Sequence, residues 1–224
     1  MPKIIAMLSQ AEENYLKEIY ALGEETHELL STNSIAKKMK TKASSATDML
    51  QKLSNKGLVD YTKYKGARLS RKGETIAMTI VRKHRLWETF LVEKLGYNWD
   101  EVHDIAEQLE HIQSKTLTNR LDAFLEYPTR DPHGHPIPNI NGKIVTSESI
   151  ILADLNINEE GILIGVKDAS DNFLKYLNKI NITIGDNIKI LDIEPFDNSF
   201  TISSDTKQIT ISGNVAKNLY IKNQ

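Results

Sequence analysis

Apolar residues recur every three or four positions through the first half of the chain and alternate with polar ones through much of the second, a pattern that predicts helices followed by strands. Glu12 to Leu22 reads as a helix with Tyr15, Leu16, Ile19, Tyr20 and Leu22 on its buried side, and Ser9 stands three residues before Glu12, the capping-box spacing. A polar connection, Gly23 to His27, follows. Ser31 to Leu58 has the organisation of a helix-turn-helix. Thr32 or Asn33 caps a short helix with Ile35, Ala36 and Met39 inward, and Lys40 to Lys42 makes the turn. Ser44 to Asn55 makes a second helix with Ala46, Met49, Leu50 and Leu53 inward, stopped by Gly57. Val59 to Tyr64 and Ala67 to Leu69, on either side of Lys65-Gly66, predict two strands around a tight turn, a wing.

Ser70 caps the next helix, whose apolar stripe of Ile80, Leu91 and Leu95 is interrupted by His84 and Glu88. After a break at Gly96-Tyr97-Asn98 a further helix is predicted to hold His103, Glu107, Glu110 and His111 within ~100° of one another. Its apolar residues, Val102, Ile105, Ala106, Leu109 and Ile112, point elsewhere. Three imidazoles and three carboxylates on two helices are the hard to borderline donors that suit divalent transition metals. A carboxylate set into an apolar stripe needs a partner, and a cation is a good one.

Ser114 to Leu125 reads as one more amphipathic helix, with Leu117, Leu121, Phe124 and Leu125 apolar. The proline-rich run Tyr127 to Pro138 ends the helical part, because proline removes a donor and fixes φ; His133 and His135 within it are candidate ligands, but two histidines in a proline-rich loop are more often structural. From Ile144 onward, short Ile-, Val- and Thr-rich strands punctuated by Gly161, Gly185 and Gly213 predict a small β-barrel, with a helical turn or two at Phe173 to Asn178.

Charge sharpens this picture. Between Ser31 and Arg85 there are 14 Lys and Arg against 3 Asp and Glu, whereas the rest of the chain carries 14 against 27. The basic block is a candidate polyanion surface, and the acidic remainder argues against a protein that coats nucleic acid throughout. Lys42, Ser44, Ser45, Thr47, Asp48, Gln51 and Lys52 lie at the turn and on the outward face of the second helix, the kind of side chains that read base edges and phosphates in a major groove. Lys63, Lys65 and Arg68 of the wing are placed for phosphates. The absence of cysteine excludes disulfides and thiolate metal sites. No apolar run approaches ~18 residues, and MPKIIAMLSQAEEN has no signal-peptide pattern, so a cytosolic protein without a membrane partner is expected.

Four stretches together resemble the diphtheria toxin repressor family of metal-dependent transcriptional regulators: ENYLKEIY at Glu13, RKHRLWE at Arg82, EVHDIAEQLEH at Glu101 and PHGHPIP at Pro132. The resemblance implies an α+β chain of three parts. These are a winged helix-turn-helix over 1–73, an all-α dimerisation and metal-binding domain over 74–143, and a C-terminal SH3-like, FeoA-type barrel over 144–224. By motif position, His84, Glu88 and His103 match ligands of an ancillary site, and Glu107, Glu110 and His111 match a primary site completed by Asn14, so that two ions per subunit are implied. Glu107 stands where iron-responsive members carry Cys, and a carboxylate oxygen suits Mn(II) better than thiolate does. Lys17 stands where some manganese regulators have a Glu ligand, which argues against their two-ion cluster. Asp168, Asp171 and Asn172 lie near where long members donate extra ligands.

The implied function is a homodimeric repressor that uses Mn(II), or alternatively Fe(II), as corepressor to bind a pseudo-palindromic operator in double-stranded DNA and control metal-uptake genes. In this scheme the ion ties the helical domain to the first helix near Asn14 and sets the spacing of the two recognition helices. No enzyme activity is implied. The rival from another class, a carboxylate-bridged di-metal enzyme, usually needs two Glu-x-x-His pairs on separate helices. Only Glu24 and His27 have that spacing, in an expected loop. A winged-helix sensor of an organic ligand would leave the six donors unexplained.

Overall fold

The first helix, α1 (Gln10–Thr26), starts where its capping box places it: the Ser9 backbone N–H donates to Glu12 Oε2 at 2.8 Å, and the Glu12 N–H donates to Ser9 Oγ at 3.3 Å. The computed structural model describes residues 8–26, 29–145, 148–204 and 207–223, so His27 lies outside the described residues. The chain divides into two compact units. The first comprises 1–84, 108–115 and 138–143; the second comprises 85–107, 116–137 and 144–224.

In the first unit, α2 (Thr32–Lys38) and α3 (Ala43–Asn55) form the helix-turn-helix. Ser31, not Thr32 or Asn33, caps α2, because its Oγ accepts the Ser34 N–H at 3.0 Å. Gly57, at φ 66°, ends α3: only a residue without Cβ takes this left-handed position at little cost, and it lets the Leu58 N–H reach the Leu53 carbonyl. β1 (Val59–Thr62) and β2 (Gly66–Leu69) pair antiparallel, with the tip at Lys63-Tyr64-Lys65 rather than at Lys65-Gly66. Tyr15, Leu16, Ile19, Leu30, Ile35, Ala46, Leu50, Leu53, Leu58 and Ala77 close one core. Ala77 belongs to α4 (Arg71–Leu95), a continuous helix that leaves the first unit after His84 and continues in the second. Its start is capped as expected, Ser70 Oγ accepting the Gly73 N–H.

In the second unit, α4 packs Leu86 with Leu121, Leu125 and Ile137, and Leu91 with Val102 and Ala106. Leu121 belongs to α6 (Lys115–Phe124) and Ala106 to the short helix α5 (His103–Leu109), and Leu95, Ile112, Leu117 and Phe124 remain exposed although they continue the apolar patterns. The strands β3 (Ile150–Ile151), β4 (Glu160–Val166), β5 (Asn187–Glu194), β6 (Ser199–Ser204), β7 (Lys207–Ile211) and β8 (Leu219–Asn223) form one antiparallel sheet in the order β3-β8-β4-β5-β6-β7. α7 (Asp171–Lys179) and α8 (Gly213–Ala216) complete it around a core that includes Leu163, Leu174, Ile188, Ile202 and Ile221. Of the three glycines expected as punctuation only Gly185 sits in a turn, at φ 102°; Gly161 is inside β4 and Gly213 opens α8. Gly161 is placed there by close packing, since a Cβ would stand 2.5 Å from the Lys222 carbonyl oxygen on β8.

Candidate metal centres and nucleic-acid face

α1 buries Leu16 and Ile19 in the helix-turn-helix core, and the same periodicity turns Glu13, Asn14 and Lys17 toward another side. In the first unit Glu13 and Lys17 meet the segment after α5. The sequence pattern places Glu110 and His111 on the α5 helix, but α5 stops at Leu109 and both residues lie in the turn beyond it. Glu110 is fully buried, with Oε1 and Oε2 at 2.9 and 3.0 Å from Lys17 Nζ and Oε2 at 2.7 Å from His84 Nδ1. Burial pushes the Glu110 carboxyl up, but His84 and Lys17 outweigh it and hold it below the usual carboxylate range. His111 Nδ1 lies 2.6 Å from Glu13 Oε2, and Gln113 Nε2 donates to Glu13 Oε1 at 2.6 Å. His111 Nε2 is 3.9 Å from Glu110 Oε1. Burial lowers the pKa of Lys83, against the opposing pull of Glu13 and Glu110. Asn14 Oδ1 is buried and has no hydrogen-bond partner among the described residues. The orphaned amide oxygen of Asn14, and the carboxylates and imidazoles of Glu13, Glu110, His84 and His111, are of the kind that a hard divalent cation takes as donors.

The second unit has its own group. Glu88, buried on α4 one turn after His84, places Oε1 at 3.5 Å from His103 Nδ1 and Oε2 at 3.5 Å from His133 Nδ1. His103 Nε2 is 3.6 Å from Glu107 Oε1. The proline-rich run brings Asp131, His133 and His135 together, one ligand atom of each lying within 4.8 Å of the others. Asp131 Oδ1 accepts the backbone N–H groups of His133 and His135 at 2.8 and 3.0 Å, while Oδ2 faces His135 Nδ1 at 3.4 Å. The His133 ring stacks on Trp99 and its Nε2–H donates to the Trp99 carbonyl at 2.8 Å. Burial pulls the His133 pKa down, but Glu88, Asp131 and that carbonyl outweigh it and raise it to about 9. Two buried carboxylates that favour positive charge on the ring between them also offer oxygens to a cation. Asp131 was not anticipated; its one sequence signal is the alternate spacing Asp131, His133, His135. Asp168, Asp171 and Asn172 are exposed, and Asp168 Oδ1 is taken by the Ser170 N–H.

On the first unit, Lys42, Ser44, Ser45, Asp48, Gln51, Lys52, Lys63, Lys65 and Arg68 are all exposed, on α3 and on the wing. Thr47 is half-buried and turned back on its own helix, its hydroxyl donating to the Ala43 carbonyl. Lys52 also pairs with Glu12 at 3.2 Å and Arg68 with Asp60 at 3.3 Å. Glu24, half of the Glu-x-x-His spacing, accepts the Tyr20 hydroxyl at 2.8 Å.

Three family models match this chain in succession: the N-terminal DNA binding domain of iron dependent repressors over 7–67, their metal binding and dimerisation domain over 70–139, and the FeoA domain over 150–223. A manganese-dependent transcriptional repressor solved in complex with manganese is 34% identical, covers 95% of this chain and 100% of its own, and superposes with a TM-score of 0.87. The chain belongs to the diphtheria toxin repressor family. The diphtheria toxin repressor of Corynebacterium diphtheriae is 26% identical over 226 residues, 96% of this chain and 98% of that protein. The iron-dependent repressor IdeR of Mycobacterium leprae is 34% identical over 133 residues, 59% of this chain, and the match spans 57% of the length of IdeR. All three of these family members are named as repressors and none as an enzyme. Among the described residues no helix is long and apolar enough to cross a membrane.

Proposed function

We propose that this chain is a transcriptional repressor that binds operator DNA when a divalent transition metal, Mn(II) in preference to Fe(II), is present as corepressor. The observation that carries the reading is that one unit contains both the helix-turn-helix and a set of oxygen and nitrogen donors: the Asn14 oxygen of α1, which has no hydrogen-bond partner among the described residues, with Glu110, His111 and His84. Asn14, Glu107, Glu110 and His111 are assigned to one ion, and His84, Glu88 and His103 to a second. The metal supplies a fixed double positive charge that binds carboxylate, amide and imidazole donors together. The absence of thiolate among these donors favours Mn(II) over softer ions.

The chain's own residues connect this donor set to DNA. α1 presents Glu13 and Lys17 to the segment 110–113, and one residue before Glu13 it presents Glu12 to Lys52 of α3 and to Lys56 at its end. A tether on α1 therefore bears directly on the helix whose exposed Ser44, Ser45, Asp48 and Gln51 read bases. In a homodimer two such helices enter successive major grooves of a pseudo-palindrome. Exposed Leu117, Phe124 (62%) and Tyr127 on and after α6 are the apolar side chains a second copy would cover. The cytoplasm is the compartment in which such a repressor meets DNA, and metal-uptake genes are the targets inferred.

The test is fluorescence anisotropy of the chelator-stripped protein on its own genomic promoter fragments, without metal and with Mn(II) or anaerobic Fe(II) at equal free concentration. Tight binding only with metal is expected, and the Glu107→Ala, His111→Ala double variant is expected to lose it. Operator affinity equal with and without metal would overturn the corepressor reading.

A further inference from the structure

Glu13 is 5% exposed, and a buried carboxylate costs several kcal/mol unless its oxygens are satisfied. Both are satisfied by one short segment on the far side of the cluster: Oε2 by His111 Nδ1 at 2.6 Å and Oε1 by Gln113 Nε2 at 2.6 Å. An ionised carboxylate only accepts hydrogen bonds, so the His111 Nδ1 must carry the hydrogen. This leaves the lone pair of the neutral imidazole on Nε2, the nitrogen that faces Glu110 Oε1 at 3.9 Å. Gln113 holds the second oxygen of Glu13 and keeps the carboxylate from swinging away.

We propose that Glu13 is a positioning residue of the metal centre: it fixes His111 in the Nδ1–H tautomer and aims Nε2, as a divalent-cation donor, to the same side as Glu110. This rests on the proposed role of His111 and Glu110 as ligands. The arrangement also makes the imidazole a stronger donor, because the carboxylate stabilises positive charge on the ring when Nε2 gives up its lone pair. α1 then serves the centre twice through consecutive residues, Asn14 offering an oxygen and Glu13 orienting a nitrogen supplied by a segment 98 residues away. His84 is held differently: its Nδ1, 2.7 Å from Glu110, is turned to the carboxylate assigned as a ligand rather than to a separate orienting group.

The experiment combines two readouts on the full chain. Long-range proton–nitrogen correlation spectra of histidine-labelled, chelator-treated protein report the tautomer of His111, and calorimetry reports the affinity and stoichiometry of Mn(II). In Glu13→Ala the ring is expected to leave the pure Nδ1–H form, and Mn(II) affinity is expected to fall ~10–100-fold with the number of ions per chain unchanged. Glu13→Gln, whose amide oxygen still accepts from Nδ1–H, is expected to keep the tautomer and to lie within a few-fold of wild type. Gln113→Ala, which frees one oxygen of Glu13, is expected to shift both readouts the same way by less, and it carries the test if Glu13→Ala does not fold. An unchanged His111 nitrogen pattern in both Glu13→Ala and Gln113→Ala overturns the proposal. So does a Glu13→Ala protein that loses one ion per chain, since Glu13 would then be a ligand. His111→Ala with wild-type Mn(II) affinity would overturn the metal-site reading, and the positioning role with it. A clear loss in His111→Ala beside unchanged affinity in Glu13→Ala overturns the positioning role alone.

Discussion

Glu110 shows how much one side chain depends on its neighbours. It is fully buried, and Lys17, also buried, touches both of its oxygens, so removing the ammonium leaves a carboxylate with His84 as its remaining close donor. Breaking a buried pair from one side costs about 3–5 kcal/mol. Lys17→Ala is therefore expected to destabilise the metal-free protein by about 3 kcal/mol in urea denaturation, with a smaller loss in Lys17→Arg, which keeps the charge. A change below about 0.5 kcal/mol, the scale of an ordinary surface substitution, would show that Lys17 does not support Glu110. None of this pairing is visible in the residue string. Lys17 stands out there only as a departure from the family pattern, whereas in the fold its ammonium supplies a positive charge at Glu110.

At the scale of elements, local chemistry set the boundaries wherever the partner lies within a turn. Ser9 and Glu12 start α1, Ser70 starts α4 and Gly57 ends α3, each at the position its spacing implies. Glu12 goes further, since Lys56 and Lys52 reach it from α3. Burial raises its pKa, but those ammonium groups and the Ser9 N–H bring it down to about 2 from an ordinary 4.5. A carboxyl depressed on folding stabilises the native state above its unfolded pKa, and that stabilisation fades as pH falls from about 4.5 toward 2. Wild type is thus expected to lose more urea stability than Glu12→Gln between pH 5 and pH 2.5, with the two curves converging at the acid end. The loop carrying Asp131 and His133 gives a second prediction. Gly134, at φ 84°, packs so closely on β4 that a Cβ would meet the Ile164 carbonyl oxygen at 2.1 Å, and the Val166 N–H bonds to the His133 carbonyl alongside. Gly134→Ala is expected to destabilise the second unit by about 2 kcal/mol or more, read as an earlier thermal transition. Among the expectations that failed, the polar connection from Gly23 is helical through Thr26, which puts Glu24 on α1, and a helix continuing through Glu110 and His111 failed because periodicity cannot tell a helical turn from a tight turn that keeps residues on one side.

For the whole molecule, the uneven charge is the feature with measurable consequences. The exposed lysines of the wing tip and α3 stand on the unit that contains the basic block, and each phosphate contact contributes about 0.9 to the slope of log affinity against log salt. The Lys63→Ala, Lys65→Ala double variant is expected to reduce that slope by about 2 and to weaken binding similarly on all sequences. Gln51→Ala should instead relax discrimination between operator variants while leaving the salt slope intact. With a divalent metal as the corepressor proposed above, operator DNA must tighten Mn(II) binding by the factor by which Mn(II) tightens DNA binding, because linkage is reciprocal. Calorimetry of Mn(II) with and without operator checks this, and unequal factors would mean that metal also acts on something other than the DNA-bound state.

The order of helices and strands, the caps of α1 and α4, the helix-turn-helix with its wing, the basic block and the inventory of His and Glu donors were all determined by the sequence itself. Each rests on neighbours three or four residues apart, or on composition, and helix geometry alone converts such spacing into contact. Tertiary structure decided which donors meet. Glu13 with His111 and Lys17 with Glu110 are pairs 98 and 93 residues apart, and Asp131 joins His133 and His135 beside Glu88 on another element. Such pairings follow from how whole elements pack and from the cost of leaving a buried carboxylate unpaired, and neither quantity is carried by local spacing.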